Sequence, residues 1–382
     1  MSFKIENHRE VTQVTTYQDT SLGIMRWGKT DSFPQTLRNL IEQSPASKHA
    51  ITITEKFYKG ESFKGENIIV SPYGITLKDV ISVIANEYAV FRAFALQCNF
   101  NLKNEIVSIT PMRLADLRFN EFDELNYASK VGYFENFGTN SEVKKTISNH
   151  PTKAKIKWID RFNPQVVDEQ VKKTNGGLPN YQGQILYYSE AGHSSYPISP
   201  LQAPINYVLA DVENSILARK ETSTGFINSY LLKTSLDLED PSLIATEIAI
   251  EEAQGARGTG KIITMSGISP DDLQATVLEE IGGGNNTVGI IKSVTEAYNL
   301  SQKVINGAYH IPPILAGADQ KTGFSAPDLR DGYFVMNAVT QGGRNAIENG
   351  INRILEKSIF PIKKVELQKL HLDADTDQIN QK

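Results

Sequence analysis

Seven residues have the spacing of a phosphate cradle: Gly255-Ala256-Arg257-Gly258-Thr259-Gly260-Lys261 satisfies GxxxxGK. In such a loop backbone amides wrap the phosphates, the lysine reaches them, and a following Ser or Thr holds magnesium. The loop must also leave a strand and open a helix, so that the positive end of the helix dipole faces the anion. Here Ile262 follows Lys261, and the flanking patterns predict the reverse order: helix, loop, then strand. A glycine turn ending a helix, with Arg257 and Lys261 exposed, fits better, and a nucleotide-binding enzyme is the weaker alternative.

The other chemically suggestive groups are less complete. Asp373, Asp375 and Asp377 repeat the first three ligand positions of a calcium loop, but the sixth position is Gln378 instead of glycine, which favours a solvated acidic tail. His193-Ser194-Ser195 lies in a turn-rich segment without the strand-turn-helix context of a nucleophile elbow. His8, His49, His150, His310 and His371 have no metal-ligand spacing, and His310 is expected to pack or hydrogen-bond at a helix end. The single cysteine, Cys98, sits in the apolar run Phe94-Ala95-Leu96-Gln97-Cys98. It can form no disulfide within the chain and is expected to be a buried, inert thiol. No catalytic, metal or cofactor site is expected.

The elements around these residues follow from periodicity. Residues 1–26 alternate polar and apolar side chains, suggesting edge strands or an arm on a neighbour. In Arg26-Trp27-Gly28-Lys29-Thr30-Asp31-Ser32-Phe33-Pro34-Gln35, Asp31 or Ser32 can cap a helix with Pro34 in its first turn. A second helix follows Ser44-Pro45 and ends near Gly60. Residues 76–96 predict a long helix, with Thr76 as cap and Asp79 in the first turn. Short β-rich runs at 96–100, 106–109, 127–134, 155–162 and 185–189 predict an antiparallel sheet packed on these helices, an α+β arrangement. Residues 139–151 read as an exposed polar insertion.

Ile205, Leu209, Val212 and Ile216 then mark a helix. Residues 223–286 form a small unit with a helix at 241–253, a strand at 261–265 and a short helix at 270–281. The most informative run is 287–329. Val288, Ile291, Val294, Tyr298 and Ile305 give one apolar helical stripe, which Pro312 and Pro313 must end. Ile311 should already be extended, because proline disfavours the α region in the residue before it. A polar loop carrying Gly317, Asp319, Gln320, Lys321, Thr322 and Gly323 follows, long enough to be functional. A third long helix, capped by Ser325, should kink or break at Gly342-Gly343, since two glycines cost roughly 2 kcal/mol relative to alanine in a helix interior. The tail, Ile362 to Leu367, alternates like a strand and is expected to rejoin the first sheet.

Composition narrows the class. Hydrophobic content of 40% and charged content of 22% are those of an ordinary globular protein. With 44 acidic against 39 basic side chains, net charge -5, a surface built to grip nucleic acid is not expected. The start, MSFKIENHREV, lacks the apolar core of a signal peptide, and the most apolar run is broken by Glu87 and Arg92, so no membrane span is expected.

Trp27-Gly28, Phe33-Pro34-Gln35, two long helices around a small module, and Ala308-Tyr309-His310-Ile311-Pro312-Pro313-Ile314-Leu315-Ala316-Gly317 together resemble the portal proteins of tailed bacteriophages, in particular the shorter type of long-tailed phages. The resemblance implies a wing at 1–198 with 358–382 returning to it, and stem helices at 199–222 and 287–312. It further implies a clip at 223–286, a tunnel loop at 313–327 and a kinked helix at 328–357, with a crown minimal or absent. It implies a non-enzymatic homo-oligomeric ring, commonly a dodecamer, at the capsid vertex of the virion, assembled in the host cytoplasm. Its partners would be the major capsid protein, terminase, head-tail connector proteins and transiently held double-stranded DNA. Asp319, Gln320, Lys321 and Thr322 would then face DNA, and Arg257, Lys261 and Lys233 would lie on the docking surface of the clip. The stem would present Asp211, Glu213, Lys292, Glu296 and Lys303. A head-tail connector or adaptor is the alternative structural role. Helices of about 23 residues extend about 35 Å, enough to wall a tunnel. Mixed charge on them would let DNA slide, whereas a strongly basic bore would hold each phosphate.

Overall fold

The computed structural model describes residues 16–19, 22–28, 30–124, 127–135, 137, 156–192, 196–224, 229–234, 276–281, 287–317 and 326–372. Expectations for residues 1–15, 139–151, 241–253, 261–265 and the Asp373 to Asp377 tail fall outside them. In chain order the elements begin with strands β1 (Thr16–Asp19) and β2 (Ile24–Trp27), then helices α1 (Phe33–Gln43), α2 (Pro45–Lys59) and α3 (Leu77–Phe91). Strands β3 (Ala93–Phe100), β4 (Ile106–Met112), β5 (Leu117–Phe119), β6 (Lys130–Tyr133) and β7 (Lys157–Arg161) follow, then helix α4 (Val167–Lys173) and β8 (Gln184–Ser189). The last elements are α5 (Ile205–Thr224), β9 (Ser229–Thr234), β10 (Thr276–Ile281), α6 (Thr287–Ala308), α7 (Pro313–Ala316) and α8 (Ala326–Leu355). The chain divides into two compact units, Met1–Val208 with Val304–Lys382, and Leu209–Lys303.

The first unit is α+β, as expected. Its six-stranded sheet has the order β4-β3-β8-β7-β6-β5. It is mixed and not purely antiparallel, because β7 and β8 run parallel, with Asp160 opposite Gln184. Helix α4 lies in the connection between them, as a parallel pairing demands a crossover. The edge strand β4 carries Pro111 opposite Leu96, a position where a missing donor is tolerated. β1 and β2 pair antiparallel as a separate two-stranded sheet.

Helix α3 is the centre of the core, buried from Leu77 through Phe91 at most positions, as a helix apolar nearly all round must be. Thr76 and Asp79 form the capping box at its start: Asp79 N donates to Thr76 Oγ1 at 3.2 Å and Thr76 N to Asp79 Oδ2 at 3.0 Å. The helix stops at Phe91, earlier than the expected residue 96. Arg92 takes a left-handed conformation (φ 56°) and donates its amide to Tyr88 O, and the chain enters β3 directly. The run from Ala93 to Leu96 is buried throughout, so it carries no period that separates strand from helix.

Further expectations are corrected. α1 starts where Pro34 implied, yet neither candidate cap caps it: Ser32 makes no side-chain cap bond. Asp31 (φ 57°) turns back, and its Oδ1 accepts from Trp27 N at 2.8 Å and from Arg118 Nε at 2.5 Å. Of the kink or break expected at Gly342-Gly343, the break is absent, since α8 runs unbroken from Ala326 to Leu355. The physical reason is packing: a Cβ on Gly343 would lie 2.5 Å from Tyr88 Cε1, so the glycine lets α8 sit directly on α2 and α3. Gly350 plays the same part against Phe94 of β3, 2.6 Å from such a Cβ.

The tail does not join the sheet as a strand. Its alternation is real, with Val365 and Leu367 buried, but its backbone is taken up by α8. Asn352 brackets Val365, accepting from its amide at 2.7 Å and donating to its carbonyl at 3.0 Å, and Glu348 Oε1 accepts from Leu367 N at 2.6 Å. The tail then crosses the end of α2 so closely that a Cβ on Gly60 would meet Gln368 O.

In the second unit β9 and β10 pair antiparallel, Ser229 opposite Ile281. Residues 276–281 are therefore strand and not the end of a helix at 270–281. Thr276-Val277-Leu278 has strand propensity that only the distant partner β9 can use.

Candidate functional site

Two hydroxyls that flank the long helices in sequence, those of Ser199 and Tyr309, meet the end of α3. The last carbonyls of a helix lack intrahelical donors. Ser199 Oγ donates to Val90 O at 2.6 Å and accepts from Leu201 N at 3.2 Å, fixing the chain just before α5. Tyr309 OH donates to the neighbouring Ala89 O at 3.1 Å, fixing the chain just after α6. Tyr309 and Leu201 are both buried, and burial pushes the Tyr309 phenol far above its ordinary pKa, so it stays a neutral donor. The chain thus leaves for the small module and returns from it at one turn of one helix.

A second brace lies close by in sequence to Ser199. Tyr196 OH donates to Met25 O at 2.6 Å and accepts from Phe119 N at 2.9 Å. Its ring stacks between Trp27 (4.6 Å, 4°) and Phe119 (4.9 Å, 12°). Arg118, fully buried, bonds Asp31 and the Ala115 and Leu117 carbonyls. The Trp27-Gly28 to Gln35 motif is therefore structural: it ties hairpin, helix and sheet together beneath the start of α5.

The Pro-Pro stop behaves as proline chemistry requires. Helix α6 ends at Ala308, with Ile311 N and Tyr309 N both donating to Asn306 O (3.0 and 3.2 Å) and His310 left-handed (φ 53°). His310 is exposed and does not pack, contrary to expectation, because its backbone role turns the side chain outward. Pro313 then opens the short α7, so the first part of the expected loop is a helical turn, closed by Gly317 in the left-handed region (φ 71°). α8 begins at Ala326, placing Pro327 inside its first turn. A Cβ on Gly332 would lie 2.7 Å from Ile314 Cγ2, so α7 seats on the first turns of α8.

Of the expected site residues, Glu213 and Lys303 are exposed on α5 and α6, and Glu296 is exposed on α6. Asp211 is not on the polar flank but fully buried, since it shares the inward stripe of α5 with Val208 and Val212 at i, i+3 and i+4 spacing. Lys292 lies on α6 and Lys233 on β9, where the backbone alone is described. Asp319, Gln320, Lys321, Thr322, Arg257, Lys261 and His193 lie outside the described residues. The bracing roles of Ser199, Tyr309 and Tyr196 were not expected from sequence, although Tyr309 lies in the Ala308 to Gly317 motif. Cys98 is buried and burial pushes its thiol up, which keeps it unreactive. Among the described residues no cluster could hold a metal ion, and no helix is long and apolar enough to cross a membrane. An open cleft of about 630 Å³ lies between Phe162, Pro164, Asn104, Arg353 and Lys357, where the two cations sit beside the carbonyl end of α8.

The first unit is thus an α+β body, and along the chain two long helices flank a small module, the second of them stopped by Pro312-Pro313 before α7. Among solved structures, the chain is similar to one in the neck of an empty gene transfer agent (GTA) particle computed with C6 symmetry, with TM-score 0.50 and 11% identity over 90% of this chain and 86% of that chain. It is also similar to one in the virion of a native GTA particle (TM-score 0.47, 12% identity, 90% and 87% covered). A third is an HK97 family phage portal protein from Corynebacterium diphtheriae (TM-score 0.44, 9% identity, 87% and 95% covered). At 11% identity the first likeness is one of fold alone. No protein-family model and no curated protein matches the chain.

Proposed function

We propose that this chain is the subunit of a ring-forming portal at the capsid vertex of a tailed phage or phage-like particle, a passage for DNA and not an enzyme. The observation that carries this reading is the fold shared over 90% of the chain with a particle-neck subunit. The order of elements fits it: the module between α5 and α6 would be the clip, and Lys233, Arg257 and Lys261 would lie on its docking surface for terminase and connector proteins. Residues 318–325, which follow α7 and precede α8, would be the tunnel loop, with Asp319, Gln320, Lys321 and Thr322 toward DNA. Glu213, Lys292, Glu296 and Lys303 would give the stem its mixed charge. A net charge of -5 suits transient passage of DNA better than tight holding.

Electron microscopy and mass photometry of the purified protein test the reading. Closed rings, with a dodecamer expected, would support it; monomers under every assembly condition, including coexpression with the major capsid protein, would overturn it. A connector or adaptor would also form rings. It differs in one respect: altering 320–323 would leave DNA packaging intact.

A further inference from the structure

Helix α8 is apolar on two opposite faces, but only from Phe334 to Gly342, with exposed Asp331 preceding the outward one. Met336, Thr340, Gly343 and Ile347 face the core. On the other side Phe334 (76% exposed), Val335, Ala338, Val339 and the open Gly342 form one patch at i, i+4 spacing. Beyond Gly342 the same side carries Asn345, Asn349 and Arg353, as an ordinary solvent face does. A contiguous outward patch of large apolar side chains marks a partner contact. Having no cation within it, it does not suit phosphate. We propose that this face packs against a second copy of the chain, an inference that rests on the ring-forming reading above.

A ring repeats a head-to-tail contact between two unlike faces of each subunit. The same compact unit offers a second apolar face at its sheet edge. The outer edge of β4 is covered by short coil segments, with Ile109 N donating to Val70 O (2.8 Å) and Ile106 N to Lys357 O (2.9 Å). Exposed Ile69, Tyr73 and Ile359 flank those contacts. The α8 patch of one subunit meets this β4-edge face of the next, and the symmetric neck assembly with the shared fold fits a repeated contact of that kind.

The test uses the full chain. Phe334→Asp with Val339→Asp removes the α8 face, and Ile69→Asp with Tyr73→Asp removes the β4-edge face. Each double variant is expected to keep the wild-type circular dichroism and Tm yet lose rings in mass photometry. Mixed together they retain one good contact between them, so dimers appear in the mixture alone. Wild-type rings with rings also from the Phe334→Asp/Val339→Asp variant would overturn this inference and leave the portal reading standing. Wild-type monomers would overturn both. No dimer in the mixture, even after chemical fixation, would overturn the β4-edge half. Should an Asp variant fail to fold, Phe334→Ser with Val339→Thr replaces it, and rings from that folded variant count against the α8 face.

Discussion

Gly342 and Gly343 are adjacent in α8, yet an added methyl group would meet opposite surroundings. At Gly343 it would collide with the buried rings of Tyr58 and Tyr88, which have no free space to move into. Overpacking of this kind costs about 1–3 kcal/mol, offset in part by about 1 kcal/mol of helix propensity. At Gly342 nothing lies within 4 Å, so only the propensity gain remains. Urea denaturation should therefore show Gly343→Ala destabilised and Gly342→Ala stabilised by about 1 kcal/mol; equal effects would refute the close packing of α8 on α2 and α3. A second side chain offers a pH test. Burial raises the Asp116 carboxyl pKa above its ordinary 3.8, against the opposing fields of Arg113 and Arg118. A raised folded-state pKa means that the fold favours the protonated form, so stability is lost as pH rises through that value. Asp116→Asn should have the higher Tm at pH 7, with the gap closing as pH falls below 3.8; a gap that widens in acid would contradict the sign.

Among the elements, the tail offers the clearest test, because one side chain holds it twice. Asn352→Ala leaves the buried Val365 amide and carbonyl without their partner, a loss of about 1–3 kcal/mol. Hydrogen exchange should accelerate at Val365 and Leu367 while β3 amides stay protected, and unchanged exchange there would show that the tail is held otherwise. Helix starts and stops were legible wherever a few adjacent residues carry the physics: the Thr76/Asp79 box, Ser44-Pro45, Gly60 and Pro312. What stayed hidden depends on distant partners. The tail alternates like a strand but its partner is a helix. β10 needs β9, and the boundary at Arg92 lies in a run buried on every side. The two bonds that flank the long helices in sequence, Ser199 to Val90 and Tyr309 to Ala89, span 109 and 220 residues. No local pattern encodes them.

For the molecule as a whole, the proposed function turns on the loop between α7 and α8. Ile314 and Leu315 of α7 pack against Gly332 of α8, a contact that does not depend on residues 318–325. Loop-closure free energy changes slowly with length, and deleting residues 320–323 should leave the fold and the ring intact. Passage of DNA is a different matter. A chain of net charge -5 offers little general attraction to phosphate, so any guidance must come from a few side chains placed where DNA passes, with Gln320 and Lys321 the proposed ones. The deletion should then give rings of wild-type mass and Tm, with nuclease-protected DNA in assembled particles reduced at least tenfold. Lys321→Ala alone should reduce packaging less and shift its salt dependence, because it removes one cation and no backbone. Normal packaging by the deletion variant would refute the tunnel-loop role and leave the connector reading as the better account of a ring with this fold.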